Sequence, residues 1–433
     1  MSPAGSSAPS HAPPTPPSRP ASGRAFREVD VLVIGAGPGG SAAAYHLARH
    51  GIDVLLAEKA SFPREKVCGD GLTPRGVVAL DRMGIDLRDP GFERANGLRI
   101  YTRKLTLELP WPTLHDFPDY GLVRTRHDLD ELLARRAEKA GALLWENAEV
   151  LEPTVSDGWV TGATVRKDEE EIEVRARYVI AADGAASRIG ARAGVRRDGT
   201  RPLGIAARRY YRIDRSPGPW LEVWMDLWDG ADLMPGYGWL FPVADGSVNL
   251  GAGLLNTFKN FKNLSAQHVF EAFAGMLPAS WNISEETAEG RVLSGPLPMG
   301  FNRVPAAVPG MLLVGDAAGI VNPFNGEGIA YAIESAELAS ELVNEALLKD
   351  RPAVAHLYPT LLKERYGRYY FLGRNFVKGI GHPAVMRAFT EYGVPRERLM
   401  RFVLRLMGNL SDGRDGDAQD KLIYAIERLA PAS

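Results

Sequence analysis

A glycine-rich turn between an apolar strand and a helix carries the clearest chemical signal in this sequence. The strand Val31 to Ile34 leads directly into the turn Gly35-Ala36-Gly37-Pro38-Gly39-Gly40. Gly37 has no side chain, so backbone N–H groups at the start of the following helix can approach a diphosphate. Glu58 ends a second strand about 18 residues after the last glycine, where an acid can bind ribose hydroxyls. The spacing predicts a bound dinucleotide and leaves FAD and NAD open.

Two later segments have the same character, because each joins a short apolar strand to a glycine and an acid. Tyr178 to Ala182 leads into Asp183-Gly184, and Met311 to Val314 leads into Gly315-Asp316. Ligands of such sheets bind outside the carboxyl ends of the strands, so the segments are expected to meet near the first turn. For Asp316 the alternative role is a helix N-cap.

These patterns predict an α/β (α+β) fold in which a Rossmann-like nucleotide domain is interrupted by a second lobe. Most tryptophans fall between residues 200 and 300, where strand-like runs alternate with turns, which indicates an antiparallel sheet. From about Ser335 the pattern is helical. The predicted segments are a disordered tail (1–27), the nucleotide domain (28–199), an antiparallel-sheet substrate domain (200–300), the return of the nucleotide domain (301–345) and a helical C-terminal region (346–433).

Composition limits the partners and the compartment. The formal net charge of −2 provides no basic field for nucleic acid. The single cysteine, Cys68, cannot form an internal disulfide, which agrees with a reducing cytosol. The first 24 residues are rich in Pro, Ala and Ser and lack the apolar run of a signal peptide, and no run approaches the roughly 20 residues that span a bilayer. We therefore expect a cytoplasmic protein, with membrane contact only at the periphery and no metal.

Together, the three acid- and glycine-containing segments resemble the FAD-binding core of the glutathione-reductase type, in the branch of aromatic hydroxylases and geranylgeranyl reductases. The third segment continues into Pro323-Phe324-Asn325-Gly326-Glu327-Gly328. The resemblance implies FAD, with Asp316 on a ribityl hydroxyl and the later glycines at the flavin ring, where N–H donors stabilise an anionic reduced flavin. The implied cofactor residues are Gly35, Ala36, Gly37, Pro38, Gly39, Gly40, Glu58, Lys66, Val67, Cys68, Gly69, Arg126, Val150, Asp183, Gly184, Asp316, Gly326, Gly328 and Ile329.

The resemblance narrows to the geranylgeranyl reductase family and covers roughly residues 28 to 415. The segment Arg64 to Arg75 is similar to that family's Cys-Gly segment, and Arg126 to its arginine before the second helix. Tyr237-Gly238-Trp239-Leu240-Phe241-Pro242, followed by Gly251-Ala252-Gly253, matches its Tyr-x-Trp-x-Phe-Pro signature. The similarity is greatest to the menaquinone-reducing members. The family implies saturation of a carbon–carbon double bond in a polyprenyl chain, either of menaquinone or of a geranylgeranyl compound.

The chemistry of such a reaction assigns roles to side chains. An isolated alkene accepts hydride poorly, whereas its protonation gives a tertiary cation that reduced flavin can reduce. The site must therefore hold a proton donor and exclude water. Cys68 and Tyr237 are the candidate donors, although a free cysteine is commonly a small buried hydrophobe. Because only one glycine fingerprint occurs, electrons are expected from visiting NADPH or a redox protein.

A bulky apolar substrate needs an apolar pocket, and the aromatic residues of the second lobe are the candidates. Trp224, Tyr237, Trp239 and Phe241 are predicted to line it. Tyr237 and Trp239 are two residues apart and so share one face of a strand, which makes both candidates for the catalytic site. The alternative is that these aromatic side chains fill an ordinary core.

Basic and aromatic residues alternate from Lys363 to Lys378 and again from Arg387 to Met407. Amphipathic helices of this kind can lie on an anionic membrane surface, which would place the protein on the inner face of the cell membrane. The same pattern fits a pair of helices that pack on the enzyme and expose a solvated face. The sequence leaves both alternatives open.

Two other functions stay open at this point. A flavin-dependent aromatic hydroxylase or halogenase shares the fold, but halogenases of this branch carry Trp-x-Trp-x-Ile-Pro where this chain has Tyr237-x-Trp239-x-Phe241-Pro242. A non-catalytic isoprenoid-binding flavoprotein would keep FAD as a structural ligand. Oxygen use in step with substrate would indicate a hydroxylase, and reduced flavin that no polyprenyl compound reoxidises would indicate the binding protein.

Overall fold

The computed structural model describes residues 25–230, 232–234, 236–258, 261 and 264–431. Most of the predicted tail, residues 1–24, lies outside them. The strands of this part are β1 (Phe26–Ile34), β2 (Val54–Ala57), β3 (Gly71–Leu72), β4 (Glu93–Ala95), β5 (Gly97–Tyr101), β6 (Thr106–Pro110), β7 (Gly121–Val123), β8 (Leu143–Trp145), β9 (Ala148–Ser156), β10 (Trp159–Lys167), β11 (Glu170–Ala181), β12 (Arg196–Arg197), β13 (Leu203–Tyr211), β14 (Leu221–Trp224), β15 (Leu227–Asp229), β16 (Asp232–Met234), β17 (Tyr237–Pro242), β18 (Val248–Leu255), β19 (Ala288–Pro298), β20 (Arg303–Val304), β21 (Ala307–Val308) and β22 (Met311–Leu313). Since β1 begins at Phe26, the predicted tail end at residue 27 is two residues too late.

The helices of the described part are α1 (Pro38–Arg49), α2 (Pro74–Arg82), α3 (Arg126–Lys139), α4 (Arg188–Arg192), α5 (Ala266–Met276), α6 (Ile329–Leu348), α7 (Tyr358–Ile380), α8 (Pro383–Ala388), α9 (Glu397–Gly408) and α10 (Ala418–Leu429). A 3₁₀ turn at Gly315–Ala318 follows β22, and a π turn at Phe389–Gly393 follows α8. No helix within the described ranges combines the length and the apolar composition that crossing a bilayer demands.

The first sheet holds the nucleotide fold. Strands β22, β11, β1, β2 and β8 run parallel in that order, and β21 adds an antiparallel edge. The hairpin of β9 and β10 joins through β11. Because helices cover the sheet, the second half of β1, Val31 to Ile34, and all of β2 are continuous apolar runs with buried side chains. This architecture confirms the predicted α/β class with a glutathione-reductase-type domain.

The second sheet forms the other lobe, in the order β19-β13-β18-β17-β14-β5-β6. Helix α5 packs on one of its faces around Phe270 and Phe273. Two of its strands, β5 and β6, come from residues 97–110, which the predicted boundaries assign to the nucleotide domain. That assignment is wrong because β5 pairs with β14, more than a hundred residues away, and such a pairing leaves no local pattern. The β5–β14 pair is also parallel within an otherwise antiparallel sheet.

The C-terminal helices tie the two lobes together. In α7 the tyrosines of the basic and aromatic stretch point inward, and Tyr366, Tyr369 and Tyr370 are at most 3% exposed. Helix α9 lays Met400 and Leu404 against the second sheet. This part of the stretch therefore consists of packed helices.

Candidate functional site

The glycine turn at the end of β1 is shaped for close approach. Gly35 has a φ of +92°, a backbone conformation that favours glycine. A Cβ at Gly40 would lie 1.7 Å from the carbonyl oxygen of Gly35, so only glycine allows α1 to start this close to the strand. Pro38 occupies the first turn of α1, where its missing N–H is harmless. The start of α1 thus presents backbone N–H groups at the carboxyl end of the sheet.

The space beside Gly37 opens toward two arginines. A Cβ added there would have the terminal nitrogens of Arg126 and Arg64 as its nearest neighbours, both at 3.8 Å. Asp130 holds these guanidinium groups, at 2.6 and 2.8 Å from Arg126 and at 2.8 Å from Arg64. Two oriented cations beside a helix N-terminus fit a diphosphate. Sequence reasoning assigned no role to Arg64 or Asp130, although Arg64 opens the Cys-Gly segment.

Glu58 lies directly after β2 and is 4% exposed. Its carboxylate accepts hydrogen bonds from the backbone N–H of Ala36 at 2.9 Å and from Arg64 at 3.2 Å. The first donor belongs to the glycine turn, and the second is one of the two arginines beside it. The acid is therefore fixed at the edge of the cradle, where a ribose would follow a diphosphate.

The other two nucleotide segments lie at the same end of the sheet. The backbone of Gly35 approaches that of Ala182, directly before Asp183. One carboxylate oxygen of Asp183 accepts the Ile189 N–H at 3.0 Å, and the other is buried without a partner in the described part of the chain. A Cβ at Gly184 would lie 3.6 Å from Nζ of Lys66, which brings the Asp183-Gly184 turn next to the Cys-Gly segment.

The loop from Asn322 to Gly328 closes the cradle. A Cβ at Gly328 would lie 3.5 Å from Oδ1 of Asp316, so the third segment and this loop are neighbours. Asn322 fixes the loop, because its backbone bonds to those of Gly326 and Glu327 and its side chain reaches α7. Ile329 is the first residue of α6, whose N-terminus points into the same region.

The pocket strand reaches this loop directly. The hydroxyl of Tyr237 donates a 3.0 Å hydrogen bond to the carbonyl oxygen of Asn325, and burial raises the pKa of Tyr237 to about 12. Its proton is thus already committed to a backbone acceptor. Tyr237, one of the two candidate donors, is an anchor between the second lobe and the loop in this state.

The Cys-Gly segment lies against the same face of β17. A Cβ at Gly69 would lie 3.2 Å from the indole nitrogen of Trp239, and one at Gly71 2.9 Å from the ring of Phe241. The sulfur of Cys68 accepts the Asp70 N–H at 3.3 Å. Burial raises the pKa of the Cys68 thiol and outweighs the lowering by Arg126, so the group keeps its proton at neutral pH.

One residue predicted to line the pocket lies elsewhere. Trp224, predicted to line the pocket with Trp239, packs under α5, stacked on Tyr101 and in edge contact with Phe273. It pairs across the sheet with Gly238, so it points to the face opposite Tyr237 and Trp239. The Trp224 prediction is wrong because strand register, invisible in the sequence, decides the face. Val150 lies in β9 and packs against the core of the nucleotide domain.

Residues of the C-terminal region pack on the side of the second sheet that carries Trp239. Trp239 belongs to one apolar cluster with Val394, Met400 and Leu404, and Phe389 of the π turn packs against it. Sequence reasoning placed these residues in a helical region without assigning them to the pocket. These contacts make the surroundings of Trp239 apolar, as the site of a substrate with a long hydrocarbon chain must be.

The residues fit FAD. The guanidinium groups beside Gly37, the acid at Glu58 and the Asp183 oxygen that has no partner among the described residues supply partners for diphosphate, ribose and hydroxyl groups. Among the described residues, His, Cys, Asp and Glu side chains do not gather in threes as a metal site needs.

Comparison with known proteins supports this assignment. Residues 28–212 match the family model described as FAD binding domain. The menaquinone reductase of Mycobacterium tuberculosis is 36% identical over 425 residues, which cover 93% of this chain and 98% of that protein. The digeranylgeranylglycerophospholipid reductase of Thermoplasma volcanium is 32% identical over 357 residues, 80% of this chain and 86% of the other.

A solved structure agrees with these relatives. A geranylgeranyl bacteriochlorophyll reductase-like protein from Thermoplasma acidophilum superimposes with a TM-score of 0.71 at 26% identity, covering 88% of this chain and all of that one. The match with the menaquinone reductase covers 93% of this chain and therefore extends over both lobes. The chain belongs to the geranylgeranyl reductase family, which includes the menaquinone reductases, and is an FAD-dependent oxidoreductase.

Proposed function

We propose that this enzyme saturates a carbon–carbon double bond in a polyprenyl chain, with menaquinone as the preferred substrate and a geranylgeranyl lipid as the second candidate. The observation that carries the proposal is the contact of the Cys68-Gly69 segment with Trp239 and Phe241 on a face roofed by α9. That face is apolar and lies next to the loop at Gly326, so a hydrocarbon chain bound there would meet the FAD cradle. The similarity to menaquinone reductases over both lobes supports the choice of substrate.

The residues divide the chemistry between them. Bound FAD, once reduced by visiting NADPH or a redox protein, supplies a hydride. Cys68 supplies the proton, because its thiol is neutral and its sulfur accepts N–H groups without using its own hydrogen. Cys68 would donate its proton to one alkene carbon and leave a tertiary cation at the other, which the hydride would reduce, and the thiolate would regain a proton from solvent. The apolar walls from Trp239 and α9 exclude water that would trap the cation.

A flavin-dependent aromatic hydroxylase or halogenase is the alternative within the fold, which flavin-dependent halogenases share. The sequence argues against a halogenase, because this chain has Tyr237-x-Trp239-x-Phe241 where halogenases of this branch carry Trp-x-Trp-x-Ile-Pro. A non-catalytic isoprenoid-binding flavoprotein is the alternative outside catalysis. Both alternatives predict unchanged saturation of polyprenyl lipids in cells that lack the protein, whereas the proposal predicts that one polyprenyl species loses a saturated unit. Lipid analysis of a deletion strain decides this point.

We place the enzyme in the cytoplasm at the inner membrane surface, where a polyprenyl quinone resides. Around α8 and α9, Val385 and Tyr392 are 47% and 60% exposed, next to the exposed Arg387 and Arg398. Exposed apolar side chains next to arginines can insert into and bind an anionic lipid surface. The same segment borders a surface cavity of about 530 Å³, lined by His382, Pro383, Ala384, Arg387, Ala388, Glu391 and Tyr392. Flotation with anionic vesicles, weakened in an Arg387→Glu/Arg398→Glu variant, would support this location, and equal flotation of both proteins would contradict it.

A further inference from the structure

The carboxyl group of Glu327 takes no part in the proposed transfer of a proton and a hydride to the alkene. It stands between Gly326 and Gly328, directly before α6, in the loop that closes the FAD cradle. Oε1 accepts a 2.6 Å hydrogen bond from the hydroxyl of Thr73, which precedes α2. Oε2 is buried and has no hydrogen-bond partner in the described part of the chain. Burying a charged carboxylate oxygen without a hydrogen-bond donor raises the free energy of the folded protein, so this oxygen is suited to hold a proton.

The charged and titratable groups around Glu327 do not neutralise it. Arg75 of α2 is paired with Glu334 of α6 at 2.9 Å and lies over the ring of Tyr331. Tyr331 and Tyr369 also interact with Glu327, and both keep their protons because burial raises their pKa values. The cation nearest to Glu327 is therefore already committed to another carboxylate.

These surroundings place the titration of Glu327 in the neutral range. Burial raises the pKa of Glu327 to about 7, the Thr73 hydrogen bond and Arg75 lower it by smaller amounts, and Glu334 raises it. A further negative charge in the adjacent cradle would raise this pKa again, since like charges favour the neutral form. The carboxyl group would then gain a proton when that charge appears.

We propose that Glu327 takes up a proton when the bound cofactor is reduced, so that electron uptake and carboxyl protonation are coupled. The proposal rests on the proposed function only for the position of FAD beside Gly326 and Gly328. An external donor provides two electrons, and solvent provides two protons. Both electrons and one proton would be taken up by the cofactor, and the other proton would form an O–H bond on Glu327.

The test is the pH dependence of the midpoint potential of the FAD-loaded enzyme between pH 7.5 and 9, without lipid. One proton for two electrons gives a slope of about 30 mV per pH unit, and two protons give about 59 mV. The wild type is expected near 59 mV and Glu327→Gln near 30 mV. Glu337→Gln is the control, because it makes the same chemical change in α6 at a carboxyl that pairs with Arg82 and leaves the Arg75–Glu334 pair intact, and it is expected to keep the wild-type slope.

A wild-type slope of about 30 mV in this range overturns the proposal, as does an unchanged slope in Glu327→Gln. If Glu327→Gln does not bind FAD, its midpoint potential cannot be measured. Infrared difference spectra between the oxidised and the reduced wild-type enzyme then provide the test. Reduction at pH 8 must then produce the C=O band of a protonated carboxyl group, and its absence overturns the proposal. Since no lipid takes part, these outcomes are independent of the substrate, whereas failure to bind any FAD would contradict the proposed function itself.

Discussion

The carboxylate of Asp70 accepts a 2.7 Å hydrogen bond from the side-chain amide of Asn249, and both residues are fully buried. The same amide nitrogen donates to the carbonyl oxygen of Cys68 at 2.8 Å, and the amide oxygen accepts the Trp239 N–H at 3.0 Å. A single asparagine in β18 therefore fixes the Cys-Gly segment against the pocket strand. In the proposed reaction, the position of Cys68 relative to the alkene would depend on this link.

Asp70 is expected to make folding stability depend on pH. Burial raises its pKa from 3.8 to about 6, against smaller lowering by Tyr210 and Asn249. Between these values the folded state holds a proton that the unfolded state has lost, so this contribution to stability falls as pH rises from about 4 to about 6. Asp70→Asn cannot ionise and lacks the effect, whose full size is about 3 kcal/mol.

Urea unfolding of both proteins at pH 4 and pH 7 measures this contribution. The stability of Asp70→Asn relative to wild type is expected to rise between the two pH values. The comparison removes the other titrating groups, because they are the same in both proteins. A difference that does not change with pH would show that Asp70 titrates normally.

Gly37→Val is expected to abolish FAD binding while the fold persists. The φ of Gly37 is −77°, which valine adopts readily, so the backbone is not strained. The new side chain would fill the space that opens toward Arg126 and Arg64. Gly275→Ala is the control, since a Cβ there meets no atom within 4 Å. Flavin absorbance after purification gives the answer, and full absorbance in Gly37→Val would remove the glycine turn from the FAD site.

The two faces of the second sheet give a matched pair of variants. Trp239→Ala and Trp224→Ala each remove a buried indole and are expected to lose about 3–5 kcal/mol of stability. Only Trp239→Ala should also lower turnover of long polyprenyl substrates per folded, FAD-loaded enzyme. Equal specific activities of the two variants would mean that Trp239 is a core residue like Trp224.

Cys68→Ala is expected to bind FAD and accept electrons but to deliver no hydride to the alkene. Cys68→Ser should recover little, because a hydroxyl is a far weaker acid than a thiol of pKa about 8.5. Since burial raises the thiol pKa, the wild-type rate should stay flat from neutral pH to about 9. Normal rates in Cys68→Ala would direct attention to Tyr237, whose proton must first leave Asn325. If cysteine only fills space, alanine is tolerated and serine costs stability.

Local patterns were sufficient for part of this picture. The strand, turn and helix around Gly37, and the shared face of Tyr237 and Trp239, follow from chain geometry over a few residues. Arg64, Asp70 and Asn249 could not be found in this way, because their roles arise from contacts between distant segments.

The wrong assignment of residues 97–110 and the wrong prediction for Trp224 have a related cause. Residues 97–110 join the second sheet through a pairing with β14, and Trp224 turns away from the pocket through its register with Gly238. Periodicity predicts that successive side chains alternate between the two faces of a strand, but it does not predict which face borders the pocket and which packs under a helix. That choice depends on the neighbouring strands, which the sequence alone does not identify.

The most direct test of the central claim is one turnover of the reduced enzyme without oxygen. Wild-type protein loaded with FAD and photoreduced is mixed with menaquinone, and flavin reoxidation is followed together with the mass of the extracted lipid. Reduction of the quinone ring alone also reoxidises flavin, so the lipid is reoxidised in air before its mass is read. We predict reoxidation with a gain of two hydrogens in the polyprenyl chain, and the same gain is absent with Cys68→Ala. Flavin reoxidation without a change in the mass of the polyprenyl chain would contradict the proposed function. So would the absence of reoxidation with both menaquinone and a geranylgeranyl lipid.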